Sequence, residues 1–137
     1  MAALSDYLAA RLASLLFNNN DLAFASPGDG LYLAVFTSGL GLKAGILTGE
    51  VDGGAYARPQ VPASAWARTA NSVANSVAVE FPVATGAWGT LTHGAIMDSP
   101  TPGAGNVLAH GALYQPRSIQ ADDQLRFLEG EVTFDVE

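Results

Sequence analysis

The chain has 137 residues, no cysteine, and a net charge of −7 carried on only 14% charged residues. That length fits a single domain that can bury a core without covalent staples, and the missing cysteines exclude a disulfide framework, a thiolate nucleophile and a cysteine-ligated metal. The charge is uneven, with four Lys/Arg against five Asp/Glu in residues 1–70 and two against eight in residues 71–137, which opposes direct nucleic-acid binding because that needs a basic footprint.

The charged fraction lies well below the roughly 25% of an average soluble domain, while 49% of residues are hydrophobic. Interface cores are depleted of charge, so this composition predicts that part of the surface is covered by another chain, the chain itself as a homo-oligomer in the first instance. A surface built from Ala, Gly, Ser and Thr is the plainer alternative. No apolar run approaches the roughly 18 residues that span a membrane, so no membrane partner is expected. The first basic residue is Arg11, so the charged start of a signal peptide is not expected.

In chain order, residues 4–17 read as a helix. Leu4, Leu8, Leu12, Leu15 and Leu16 recur at helical spacing, Ala fills most other positions, Ser5 or Asp6 caps the start, and Asn18-Asn19-Asn20 stops it. Its leucines are expected to be buried, either on the sheet or between subunits. Ser26 to Gly30 is a turn. Leu31 to Thr37 follows as a strand with two apolar faces, Leu31, Leu33 and Val35 on one and Tyr32, Ala34 and Phe36 on the other, so it is predicted to be central and covered on both sides.

Residues 38–54 hold six glycines and form a long connection of the kind that is usually functional or ordered against a partner. They also carry Leu40, Leu42, Ile46 and Leu47, which a solvated linker does not need, and Lys43, which can meet an acidic neighbour. These five residues are the candidate partner-binding set, on an arm that orders on assembly. Tyr56 to Val61 is a short strand broken at Pro59, and residues 62–75 look irregular, with Asn-Ser-Val-Ala occurring twice in tandem.

Val77, Val79 and Phe81 alternate with Ala78 and Glu80 as a half-buried strand that ends at Pro82. Trp88 to Met97 is a second apolar run, Asp98 to Asn106 a turn cluster, and Val107 to Leu113 the return. Pro116 marks a turn, Ser118 to Gln120 a short strand, Asp122-Asp123 a turn into Gln124 to Leu128, and Val132, Phe134 and Val136 face inward on the last strand. Short strands at this spacing predict a mainly β chain, an antiparallel sandwich or barrel-like domain with one N-terminal α-helix. It is expected to be a single domain over 1–137, with the helical segment in 1–20 and the β-domain in 21–137.

The chemistry-bearing residue types are sparse. His93 and His110 both lie in apolar strand segments, without HxH or HExxH spacing, and read as structural histidines rather than ligands. Asp122, Asp123, Glu129 and Glu131 sit at turns. Paired acids can form a glycosidase couple at the right separation, but turn acids are more often solvated. The glycine-rich stretch lacks the end of a phosphate loop, and no serine stands in a nucleophile elbow. Trp66, Trp88, Tyr32 and Tyr56 can stack on a sugar, though core packing is the commoner use. No catalytic residue, metal or cofactor is expected.

Five segments in order, Leu31 to Ser38, Gly49 to Val61, Asn75 to Pro82, Trp88 to Asp98 and Leu108 to Leu113, together with the leucine-rich N-terminal helix and the Asp123, Phe127, Gly130 pattern, resemble a family of small tailed-phage virion proteins. Its members are commonly labelled tail fibre proteins, and some serve as capsid cement or decoration proteins. The resemblance implies a non-enzymatic structural role on the virion after synthesis in the host cytoplasm. The first expectation is a capsid cement protein, a trimer on the capsid surface that binds the major capsid protein where capsomers meet. A tail or baseplate component is the alternative, and a carbohydrate-binding receptor module a second one.

Overall fold

The computed structural model describes residues 3–17 and 30–135. In chain order these form β1 (Ala3–Leu4), α1 (Asp6–Phe17), β2 (Tyr32–Phe36), β3 (Trp66–Thr69), β4 (Ser72–Asn75), β5 (Val79–Val83), β6 (Gly89–Met97), β7 (Val107–Ile119), β8 (Gln124–Phe127) and β9 (Thr133–Asp135), with single 3-10 turns at Leu42–Ala44 and Ala63–Ala65. The strands make three sheets, ordered β1-β7-β6-β2, β3-β4-β9 and β5-β8. All pairs are antiparallel. The chain is therefore mainly β with one helix, as predicted, and the described sheets do not close into a barrel.

The α1 helix begins two residues later than its leucine spacing predicts, because Ala3 and Leu4 pair with His110 and Ala109 of β7. Ser5 is the cap. Its hydroxyl accepts the Leu8 N–H at 3.1 Å and donates to the Val107 carbonyl, so one side chain both starts the helix and fastens it to β7. Asp6 lies in the first turn, where a carboxylate suits the helix dipole. The expected burial of the leucines is not found, since no residue of α1 is buried. The Asn18 to Asn20 stop and most of the Ser26 to Gly30 turn lie outside the described residues.

The β2 strand has the two-faced burial its sequence predicts. Leu33 and Val35 enter one core cluster with Val61, Phe81, Leu91 and Leu125. Ala34 and Phe36 enter a second with Leu42, Ala95, Met97 and Val107. Its position is not central, however: it is the last strand of its sheet. Irregular chain satisfies its outer edge instead, with Leu33 N–H bonded to the Pro59 carbonyl, Thr37 N–H to Gly49, and Val51 N–H to the Val35 carbonyl. The expected strand at 56–61 is this extended segment, which bridges Tyr32 only at Gln60.

Two further differences follow from pairing. Residues 66–75, expected to be irregular, form the β3–β4 hairpin, and Ala70 takes a φ of 56° at its turn. The predicted turn at Pro116 is a bulge inside a continuous β7. Between Leu91 and His93 of β6 the partner advances from Arg117 to Ala112, so β7 carries extra residues there. A proline is tolerated where the ladder is interrupted. Tyr114, on this bulge, is fully exposed. The remaining strands match their predicted runs to within a few residues.

Candidate interaction surface

A buried ion pair organises the long connection that follows β2. The side chains of Arg58 and Glu50 are 0% and 3% exposed. Arg58 donates through Nε to Glu50 Oε2 at 2.8 Å and through Nη2 to Oε1 at 2.7 Å, while its Nη1 reaches the carbonyls of Ser99 and Ala104 at 2.8 and 2.9 Å. Glu50 also accepts the Tyr56 hydroxyl at 2.6 Å and the Gly103 N–H at 2.7 Å. Burial alone raises a carboxyl pKa, but the hydrogen bonds from Arg58, Tyr56 and Gly103 and the Arg58 charge outweigh it and hold Glu50 below the ordinary carboxylate range. Burial and the neighbouring Glu50 push the Tyr56 phenol well above its ordinary value.

This network ties residues 50–58 to the 98–106 turn cluster. Beside it, Trp88 Nε1 donates to the Gly54 carbonyl at 2.9 Å, and a Cβ on Gly54 would lie 2.8 Å from that nitrogen, so glycine is required there. The sequence reading passed over the pair. Its signal was an arginine, one of only six cationic side chains in the chain, placed eight residues after Glu50 on the other side of Tyr56.

The 38–54 connection is not a free arm. It folds back over β2, with Leu42 only 1% exposed in the second core cluster and Leu47 packed against that cluster. Of the five predicted partner-binding residues, Leu42 is therefore core, because Ala34, Phe36 and Met97 offer it an apolar face within the same chain. Leu40 and Ile46 remain exposed. Lys43 meets Asp6 of α1 at 2.6 Å, an exposed pair that contributes at most about 1 kcal/mol.

The other candidates occupy structural places. Asp123 accepts the Gln120 N–H at 2.8 Å, Asp98 binds the backbone and side-chain amides of Asn106, and Glu131 accepts the Leu128 N–H and pairs with Arg117. Each is spent on a local turn. His93 and His110 lie on neighbouring strands but oppose Ala112 and Ala95 respectively. His93 Nδ1 lies 2.9 Å from the Thr92 hydroxyl, whereas His110 Nε2 is buried without a partner. Burial, then the proximity of His93 and Lys43, holds the His110 pKa below its ordinary value. Among the described residues no group of three or more His, Asp or Glu is placed to hold a metal. Tyr56 stacks on Phe81, and Trp88 meets both rings edge-on, so the faces of these rings are committed to the core rather than to a sugar.

Besides scattered exposed residues such as Leu40 and Tyr114, the described surface has two grouped apolar features. The last turn of α1 presents Leu15, Leu16 and Phe17, the last two 72% and 84% exposed. On the opposite kind of relief, a groove of about 190 Å³ runs between β6–β7 and β9. Its floor is the cross-strand pair Gly94 and Gly111, which puts no side chain into the space, and Ile96, Leu113, Val132 and Phe134 line it.

Residues 3–135 match the protein family described as Podophage GP4 fiber I protein gp80. The chain belongs to that family. It is thus a structural protein of the phage virion, of the kind often called tail fibre, in agreement with the resemblance seen in its segments. No curated protein matches the chain. Among the described residues no helix is long and apolar enough to cross a membrane.

Proposed function

We propose that the chain is a non-enzymatic building block of a virion fibre, a small β-body whose helix α1 joins it to other virion subunits. Membership of the fibre family carries this reading. It is supported by a helix with no residue buried in its own chain and by acids committed to turns. A body organised by an internal ion pair needs no partner for its core, while exposed apolar helix surface is the usual mark of an interface.

A second reading, capsid cement, is favoured by one observation: the described strands form three small sheets on a shared core, with no repeated shaft. In that reading a trimer sits on the capsid surface where capsomers meet and contacts the major capsid protein through area rather than chemistry. Cryo-EM of virions carrying a tagged copy separates the two. Extra density at the tail supports the fibre reading, a regular array at capsomer junctions supports cement, and absence of the chain from purified virions overturns both.

A further inference from the structure

We propose that β1 and α1 form an acid-released clip, docked on β7 while His93 and His110 are neutral and freed when the two rings gain protons. Resting on the reading of α1 as the joining element, this gives that element a control. Across β6 and β7, His93 opposes Ala112 and His110 opposes Ala95. The two histidines are therefore diagonal neighbours on one face of the sheet, at the ~7–8 Å spacing of such pairs. It is the face that carries Ala34, Phe36 and the second core cluster.

Both rings are confined. A Cβ on Gly39 would lie 2.4 Å from Cδ2 and Nε2 of His93, so the backbone of the 38–54 connection rests directly on that ring. His110 stands opposite Ala3 of β1, its ring bonds to the Leu4 backbone, and its Nε2 is buried without a partner. In a charged imidazole both nitrogens are donors, so protonation leaves a buried N–H with no acceptor, which costs free energy. The charged and titratable groups that face His110 are His93 on β6, Lys43 on the Leu42–Ala44 turn and Asp6 on α1. His93 and Lys43 oppose a charge on the ring, and Asp6, which favours one, is already engaged by Lys43 at 2.6 Å. Protonation of both histidines gathers three positive groups around one carboxylate. The docked conformation is thus favoured above histidine's ordinary pKa of about 6.5 and loses that preference as pH falls through the lowered docked value.

β1 and α1 are the parts that yield. Phe36, Leu42, Ala95, Met97 and Val107 tie β2, the turn, β6 and β7 into the second core cluster, whereas no residue of α1 is buried and β1 is two residues long. The clip is held by its pairing with β7, by Ser5 and by the exposed Lys43–Asp6 pair, all at the junction where α1, β7 and the turn meet. Release moves the exposed Leu16 and Phe17 relative to the body, so acid changes where the joining surface stands.

The test is amide and histidine-ring NMR of the isolated full chain between about pH 7.5 and about pH 5, above the range in which the lowered Glu50 titrates. The docked-state amide peaks of residues 6–17 are expected to be lost to a second set with the same midpoint as the histidine rings, while the amides of β5 and β8 stay in place. His110→Gln is expected to abolish this step and His93→Gln to weaken it, because each removes one of the paired charges. The proposal is overturned if the α1 peaks do not move, if they move together with β5 and β8, if ring and helix midpoints differ, or if the step keeps its full size in either variant. If both variants fail to fold, the wild-type titration decides by the same coincidence of midpoints with β5 and β8 unmoved. Because isolated protein is used, failure here leaves the virion role standing, and absence of the chain from virions overturns that role without touching the clip.

Discussion

The β-body and the N-terminal helix solve the problem of apolar surface in opposite ways. In the body, Phe36, Phe81, Leu91 and Met97 are almost completely enclosed, and even the irregular 49–61 segment is locked by an ion pair with nearly all of its donors and acceptors satisfied. In α1, a regular element capped at its start by Ser5 leaves every side chain at least partly open while it lies along β7 and the Leu42–Ala44 turn, fastened by Ser5, β1 and one exposed salt bridge. Regularity of secondary structure and depth of burial are therefore separate properties here. Irregular chain supplies the rigidity, and the regular helix supplies the surface left over for other molecules.

The largest expected effect lies in the body. Arg58→Ala is expected to cost about 3–5 kcal/mol in urea unfolding, because it strands the Glu50 carboxylate in the interior. Phe36→Ala is expected to cost a similar amount, about 3–5 kcal/mol. The double variant Glu50→Leu with Arg58→Met is expected to lose less than Arg58→Ala alone, since it removes both charges together. If Arg58→Ala unfolds at the wild-type midpoint, the connection is not held by the pair and the contrast with α1 fails.

Acid sharpens the same contrast. Glu50 is held below its ordinary pKa, so its contribution is fully present above the unfolded value of about 4.3 and is lost as pH falls through the folded value. Wild type is expected to lose stability steeply over that acid range, and Glu50→Gln to start lower but slope less, as read by thermal unfolding at a series of pH values.

A smaller step is expected near neutrality. Burial, then His93 and Lys43, lowers the His110 pKa, which Asp6 partly opposes. A depressed histidine stabilises fully above about pH 6.5 and loses that contribution as pH falls through its folded value. His110→Leu, which also removes the unpartnered Nε2, is expected to flatten this segment of the profile, and an unchanged profile would assign the step elsewhere.

The smallest effects belong to the helix. Leu16→Ser is expected to shift monomer stability by no more than about 0.5 kcal/mol, and Lys43→Ala, which breaks the exposed pair with Asp6, by less than about 1 kcal/mol. A loss at Leu16 as large as that at Phe36 would show that α1 is packed on the body in solution, and the comparison between the two regions would collapse.

What the sequence determined by itself is whatever a local period encodes. Leucines at helical spacing behind Ser5 make α1, because cap and stripe lie within one or two turns. The alternation around Val79 and Phe81 makes β5, and the two apolar faces of Leu33 to Phe36 demand a cover on each side. Low charge beside 49% hydrophobic residues sets only an expectation, that another chain covers part of the surface. The tertiary structure alone decided which cover each face received, and there it placed Leu42 rather than the helix over Phe36 and left Leu40 and Ile46 outside. It alone brought Glu50 to Arg58 across an irregular loop, closed the pair with carbonyls from Ser99 and Ala104, carried β7 through Pro116 as a bulge, and set Gly94 opposite Gly111 to open a groove. The physical reason is the range of the interactions. Helix caps and strand alternation act between residues a few positions apart, whereas burial, ion-pair desolvation and cross-strand register depend on the path of chain tens of residues away, which no local pattern carries.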